Sequence, residues 1–141
     1  MSTASDNLTA AQRHGMAIRP LVGGFPVLAK VLHEAGVRRN EWTLPAAQSL
    51  SLTDLGTVVQ LGEPLGSGAL DVAPFDREAV VAAIRADQAG KSSFPEFLQA
   101  AWRAGVVRYV ADFDSRTVTY YGADGQSYAE SYPDVELPAA D

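Results

Sequence analysis

At 141 residues, with 47% apolar and 20% charged positions, the chain has the make-up of one ordinary domain, here taken as 1–141. A domain of that size buries roughly two-thirds of its unfolded-state surface. It has no cysteine, which excludes disulfides, cysteine-ligated zinc, iron–sulfur clusters and thiol catalysis. The net charge is −6, and residues 71–141 carry the whole excess of acid, with Arg38-Arg39 the only adjacent basic pair. That balance argues against nucleic-acid binding, which needs clustered Lys and Arg on phosphates.

The longest uncharged stretch, Trp42–Thr53, is 12 residues and carries Thr, Pro, Gln and Ser. A bilayer span needs about 20 apolar residues. No basic segment leads into an apolar core at the start of the chain. No membrane association is expected, and a soluble cytoplasmic protein is the default.

In chain order, Asn7 reads as the cap of a first helix, Asn7–Arg19, weakened by Gly15 inside it. Gly24 caps a second, in which Phe25, Leu28, Ala29, Leu32 and His33 form one stripe. Gly36 fits the left-handed position after its last turn, with Val37 folding back on Leu32. Strands follow at Arg39–Leu44, Ser49–Asp54 and Thr57–Leu61, then a Gly- and Pro-rich connection, 62–75.

Asp76 caps a third helix, Asp76–Ala89, with a Val80/Ala83/Ile84 face. Ser93 and Glu96 have the spacing of a capping box on a fourth, whose stripe is Phe94, Phe97, Leu98, Ala101 and Trp102. Gly105-Val106 ends it. Strands then fall at Val106–Phe113, Thr117–Tyr121 and Gln126–Tyr132.

The second set repeats the first at an offset of 69. Phe25-Pro26…Ala35-Gly36-Val37 matches Phe94-Pro95…Ala104-Gly105-Val106, and Asn7 matches Asp76. Arg39 matches Arg108, Pro45-Ala46-Ala47 matches Asp114-Ser115-Arg116, and Gly56 matches Gly125. The fold expected is α+β: a duplicated α-α-β-β-β unit, 7–61 and 76–132, sharing one antiparallel sheet with helices packed outside. One pairing is discordant. Ser49 and Ser51 oppose Val118 and Tyr120, while Leu50 and Leu52 oppose Thr119 and Tyr121. Either the halves bury different faces or the register slips by one residue.

Catalytic constellations are thin. Only His14 and His33 offer an imidazole base, and Gly66-Ser67-Gly68 reads as a flexible turn, not a nucleophile elbow. Gly90-Lys91-Ser92 resembles the end of a phosphate loop, but Arg85 stands where the first glycine is needed and a helix precedes it. Two histidines cannot build a histidine-rich zinc site. Asp112 and Asp114 suit Mg²⁺ or Ca²⁺ only with further oxygens, and a solvated hairpin turn explains them as well. No cofactor and no metal are expected.

His33 replaces Trp102 of the repeat in the last turn of its helix, where it reads as a packing residue or as a ligand contact. Trp42, Tyr109, Tyr120, Tyr121, Tyr128 and Tyr132 fall on strands, as core or as the wall of a pocket with polar tips. Arg39 and Arg108, matched by the repeat, would line an anion-binding cleft if their strands meet, with Trp42, Tyr109 and His33 nearby. The plainer reading pairs each arginine with a local acid, such as Glu41 for Arg39.

The stretches Gly24-Phe25-Pro26 to Gly36-Val37, Asn40-Glu41-Trp42-Thr43-Leu44-Pro45 and Thr53-Asp54-Leu55-Gly56 resemble the YbcV-like family of small bacterial and prophage proteins, some labelled phage envelope protein. The resemblance spans about residues 8–132 and implies no activity and no site residues. The functional expectation is a non-catalytic module that binds a small anionic ligand or a protein partner, including a second copy in a homodimer. The alternative is an enzyme acting on a small anionic molecule in a cleft between the halves, through Glu41, His33 or the Asp112/Asp114 pair.

Overall fold

The computed structural model describes residues 2–138; Met1 and residues 139–141 of the expected domain lie outside the described residues. Four helices and six strands follow in the order α1 (Thr3–Ile18), α2 (Phe25–Glu34), β1 (Val37–Thr43), β2 (Gln48–Thr53), β3 (Gly56–Leu61), α3 (Arg77–Gln88), α4 (Phe94–Arg103), β4 (Val106–Asp112), β5 (Thr117–Gly122), β6 (Ser127–Ser131). The α-α-β-β-β unit therefore occurs twice. All strands join one antiparallel sheet in the order β3-β2-β1-β4-β5-β6.

The halves meet at β1 and β4, where Arg39 faces Asp112, Glu41 faces Val110 and Thr43 faces Arg108. Glu41 and Val110 are also matched by the 69-residue offset. An approximate two-fold axis thus runs through this pair and relates the halves.

Local chemistry sets the helix ends. In α4 Ser93 and Glu96 form the expected reciprocal capping box, and the Asp76 side chain accepts from the Ala79 N–H at the start of α3. The first helix departs from its expected start. The Ser2 side chain caps it by accepting from the Ser5 N–H, five residues before the expected cap Asn7. Asn7 is therefore inside α1, and its side-chain amide donates to the Ala35 carbonyl at the end of α2. Gly15 lies within the helix because α2 approaches closely there. A Cβ at Gly15 would stand 2.5 Å from Leu28 Cδ1.

The helices cover one face of the sheet. Phe97 of α4 packs edge-on against Tyr109 and Tyr120, and Trp42 stacks with Tyr109 and meets Phe94. In the second half large groups meet: Val80, Ile84, Phe97 and Leu98 lie buried with Tyr109, Val118 and Tyr120.

Both halves bury the same face and β2 does not slip, which settles the discordant pairing. Ser49 and Ser51 point inward, at 0% and 1% exposure, exactly where Val118 and Tyr120 sit in the other copy. The first half accommodates this by bringing small residues together, since α1 buries Ala4, Leu8, Ala11 and Gly15. Ser51 Oγ accepts from Asn40, while Ser49 Oγ is buried without a partner.

The offset becomes 70 at the last strand, because Val59 pairs with Leu50 as Ala129 pairs with Thr119. One extra residue in the β5–β6 turn is responsible, so Gly56 corresponds to Gln126 and not to Gly125. The shifted equivalence holds beyond the strand: the Gly62 N–H donates to Ala47 O as the Tyr132 N–H donates to Arg116 O. Gln60 and Glu130 are likewise equivalent. Each ties the last strand of its half to the first helix, Gln60 through Gln12 and Glu130 through Arg85.

Gly36 and Gly105 end α2 and α4 at φ +91° and +92°, a region that costs an L-residue about 1–2 kcal/mol. Their surroundings differ. A Cβ at Gly105 would lie 2.6 Å from the Pro74 carbonyl and 2.7 Å from Phe75 Cα, whereas at Gly36 it meets only the Asp54 side chain at 3.0 Å. Gly105→Ala is expected to destabilise the fold by about 3 kcal/mol or more and Gly36→Ala by about 1–2 kcal/mol. Urea denaturation of the two variants measures the difference, and equal losses would contradict it.

Candidate functional site

The antiparallel β1–β4 ladder places matched residues at opposite ends. Arg39 and Arg108 lie on the same, uncovered face, yet Arg39 stands opposite Asp112, four residues beyond Arg108 on β4. At about 3.4 Å per residue that is about 14 Å along the strand. Each guanidinium lies beside an acid from the neighbouring strand: Arg39 is 3.8 Å from Asp112, and Arg108 is 3.6 Å from Glu41. Arg108 also stacks over the Tyr121 ring at 3.9 Å.

Trp42 and Tyr109 face the other way, into the aromatic core, so the sheet separates them from the two arginines. His33 sits on α2 against the β4–β5 turn. The five candidate residues are thus spread over three places. The junction of the halves is a flat ladder, with aromatic rings on one side and paired charges on the other.

The uncovered face shows a pattern the sequence order alone does not explain. It carries Leu50 and Leu52 of β2 and Val59 and Leu61 of β3. Leu52, Val59 and Leu61 are 37%, 54% and 81% exposed. Strand β2 is therefore inverted, with leucines outward and serines inward. Next to this apolar end lie the Arg39, Arg108, Glu41 and Asp112 charges, which cancel one another. The Ser–Leu alternation of 49–52 carries this signal, but it can be read only once the buried face is known.

At one pole of the molecule a charged network joins both halves. Arg38 is the extra residue of a β-bulge in β1. Its guanidinium donates to both carboxylate oxygens of Asp54, at 3.0 Å each, and to Asp114 at 3.1 Å. His33 Nε2 lies 2.8 Å from the same Asp114 oxygen. Asp112 is spent on the turn, accepting from the backbone N–H groups of Asp114 and Ser115. The Arg38 hydrogen bonds hold the Asp54 carboxyl below its ordinary range, and His33 and then Arg38 do the same for Asp114.

Beside the network lies a depression of about 170 Å³ between α2, the β4–β5 turn and the segment after β6. Its lining joins the buried Ala29 and Phe113 to Lys30, His33, Arg116 and Tyr132 and to two carboxylates, Asp114 and Asp134. Lys30 is paired with Asp134 at 2.9 Å, which lowers the Asp134 pKa. Burial pushes the Tyr132 hydroxyl up to about 12. Among the described residues no helix is long and apolar enough to cross a membrane, and no group of three or more His, Asp or Glu is placed to hold a metal ion.

Fold and surface together define a duplicated α-α-β-β-β protein with a one-sided sheet and a charged pole in only one of its copies. The family model described as protein of unknown function (DUF1398) matches residues 23–131, and the chain belongs to that family. It is 56% identical over 136 residues to uncharacterized protein Rv2012 of Mycobacterium tuberculosis (strain ATCC 25618 / H37Rv). The same identity holds for uncharacterized protein Mb2035 of Mycobacterium bovis; each alignment covers 96% of this chain and 83% of the relative.

A carboxyl whose pKa is lower folded than unfolded stabilises the fold above its unfolded value, near 4, and this is lost as pH falls through the folded value. Asp54, Asp114 and Asp134 share that sign. The urea midpoint is expected to change little between pH 8 and 5 and to fall below about pH 4. Arg38→Gln should make that acid fall shallower; an unchanged pH profile would show that the network does not couple to folding.

Proposed function

We propose that the chain is a non-catalytic interaction module that docks through the uncovered face of its sheet, and that the partner is a second copy of itself. The carrying observation is the inverted β2 strand, which spends Leu50 and Leu52 on the open face while burying Ser49 and Ser51. With Val59 and Leu61 of the edge strand β3 beside them, the two leucines make an exposed apolar surface that is a liability unless something covers it.

Two further features favour a second copy. Six strands about 4.8 Å apart and about six residues long give a face of roughly 25 by 20 Å, about 500 Å² in plan. Reaching the ~800 Å² per partner of a stable dimer takes the whole face together with the relief of its side chains, which suits another broad sheet stacked about 10 Å away. The face is also electrically balanced, with Arg39 and Arg108 against Glu41 and Asp112, although the chain carries −6. Two copies approaching here meet no net repulsion, and Arg39 and Arg108 would fix their orientation.

The same reading takes residues 1–141 as a single domain, supported by the β1–β4 ladder that joins the halves. A cytoplasmic setting and a prophage origin also belong to it. The origin rests on the YbcV-like motifs alone, since the names of the mycobacterial relatives say nothing of it.

Sedimentation velocity at about 10–200 µM tests the assembly. A concentration-dependent dimer is expected, shifted to monomer by Leu52→Glu or Leu61→Glu with the circular dichroism unchanged. A parent chain that stays monomeric throughout, or a dimer indifferent to both variants, would overturn the proposal.

A further inference from the structure

The two poles of the duplicated fold are equivalent in backbone and unlike in chemistry. Where one pole has His33, Phe113, Asp114, Arg116 and Tyr132, the matched positions at the other are Trp102, Leu44, Pro45, Ala47 and Gly62. Ala47 and Arg116 both adopt φ +56°, an uncommon conformation for residues other than glycine. Packing explains the alanine. Ala47 is 1% exposed, and its Cβ lies 3.4 Å from where one at Gly62 would stand. Nothing comparable calls for an arginine at 116. It lines the depression at the edge of the α2 pole and has no carboxylate within 4.0 Å among the described residues.

We propose that this depression is a binding site for a small organic anion, a carboxylate or phosphate on a short apolar body, held by Arg116 and Lys30. Ala29 and Phe113 give the body of such a molecule apolar contact in a depression of about 170 Å³. Arg116 supplies a planar fork suited to either anion. Lys30 is reached from the other wall, and its present partner is Asp134 of the segment that follows β6.

Asp134 thus stands where the ligand's anion would go. It is an internal carboxylate that a ligand must displace, and the site carries its own competitor. Removing Asp134 and removing Arg116 therefore have opposite effects on affinity, which a merely structural role for these exposed groups does not produce.

Titration of the full chain with benzoate and with inorganic phosphate, followed by amide chemical shifts, tests this. Benzoate is expected to bind in the millimolar range, with shifts centred on Ala29, Lys30, His33, Arg116 and Tyr132. Arg116→Gln should weaken it at least tenfold, Asp134→Asn should tighten it severalfold, and Lys91→Gln, remote from the depression, should leave it unchanged. Inorganic phosphate, which lacks an apolar body, should bind more weakly. No localised shifts at 50 mM benzoate would overturn the proposal. So would an affinity indifferent to Arg116→Gln, or one lowered by Asp134→Asn. Because these readouts concern a pole and not the open sheet face, they stand or fall separately from dimer formation.

Discussion

The antiparallel pairing of β1 with β4 is the constraint on which the rest of the molecule depends. Each half presents two helices to one side of a three-stranded sheet, and such a unit has too little core to stand well alone. Joining the two first strands doubles the sheet and brings Phe94 and Phe97 of one half over Trp42 of the other and over Tyr109. Because the ladder is antiparallel and centred on Glu41 and Val110, it also imposes the two-fold relation. Matched residues near the centre approach one another, and matched residues away from it diverge. That single geometric fact sends Arg39 and Arg108 to opposite ends of the junction and puts the helix-to-strand corners at opposite poles.

The halves use the same backbone with different packing. In the second, aromatic and branched residues fill the space beneath α3 and α4. In the first, serines on β2 and alanines on α1 let the helix lie close, and Gly15 lets α2 come close in turn. Small side chains bury less apolar area, so this half gains less from the hydrophobic effect. Polar links compensate in part: Asn7 to Ala35, Asn40 to Ser51, and Gln12 to Gln60. Leu50, Leu52, Val59 and Leu61 are instead on the outside of β2 and β3. Their placement makes sense if the first half is completed by something that covers it.

Much of this was legible in the residues, and what was hidden has a physical reason. The helix stripes, the Ser93–Glu96 box and the glycines after α2 and α4 are local signals, and they settled element order and the duplication. The start of α1 was missed because Asn7 looks as good a cap as Ser2, and only the tertiary bond to Ala35 shows its actual use. The one-residue change of offset before β6 was hidden because Gly125 lies in a turn, where glycine is common for its own reasons. The faces of β2 could not be assigned, since alternating Ser and Leu satisfies either side until α1 is in place. The candidate site fared least well for the same kind of reason. Equivalence in sequence says that two residues have like surroundings, but an axis decides whether they meet.

The contrast between the poles follows from that axis too. A residue close to a two-fold contacts its own counterpart, so a change there disturbs both halves at once. A residue at a pole touches only its own surroundings. His33 can differ from Trp102, and Asp114 from Pro45, without consequence for the shared ladder. Likeness between the copies follows burial and not nearness to the axis: the axial pair is Glu41 and Val110, whereas Val37 and Val106, at the two corners, are each at 0% exposure. The charged network of Arg38, Asp54, Asp114 and His33 lies away from the axis, at one corner. Arg38 occupies the bulge of β1, and its counterpart in the bulge of β4 is Val107. A bulge residue is released from strand pairing and is free to point its side chain elsewhere. In one copy it is a half-buried valine. In the other it gathers carboxylates from two hairpin turns, one from each half, beside the depression that the neighbouring α2 side chains leave open.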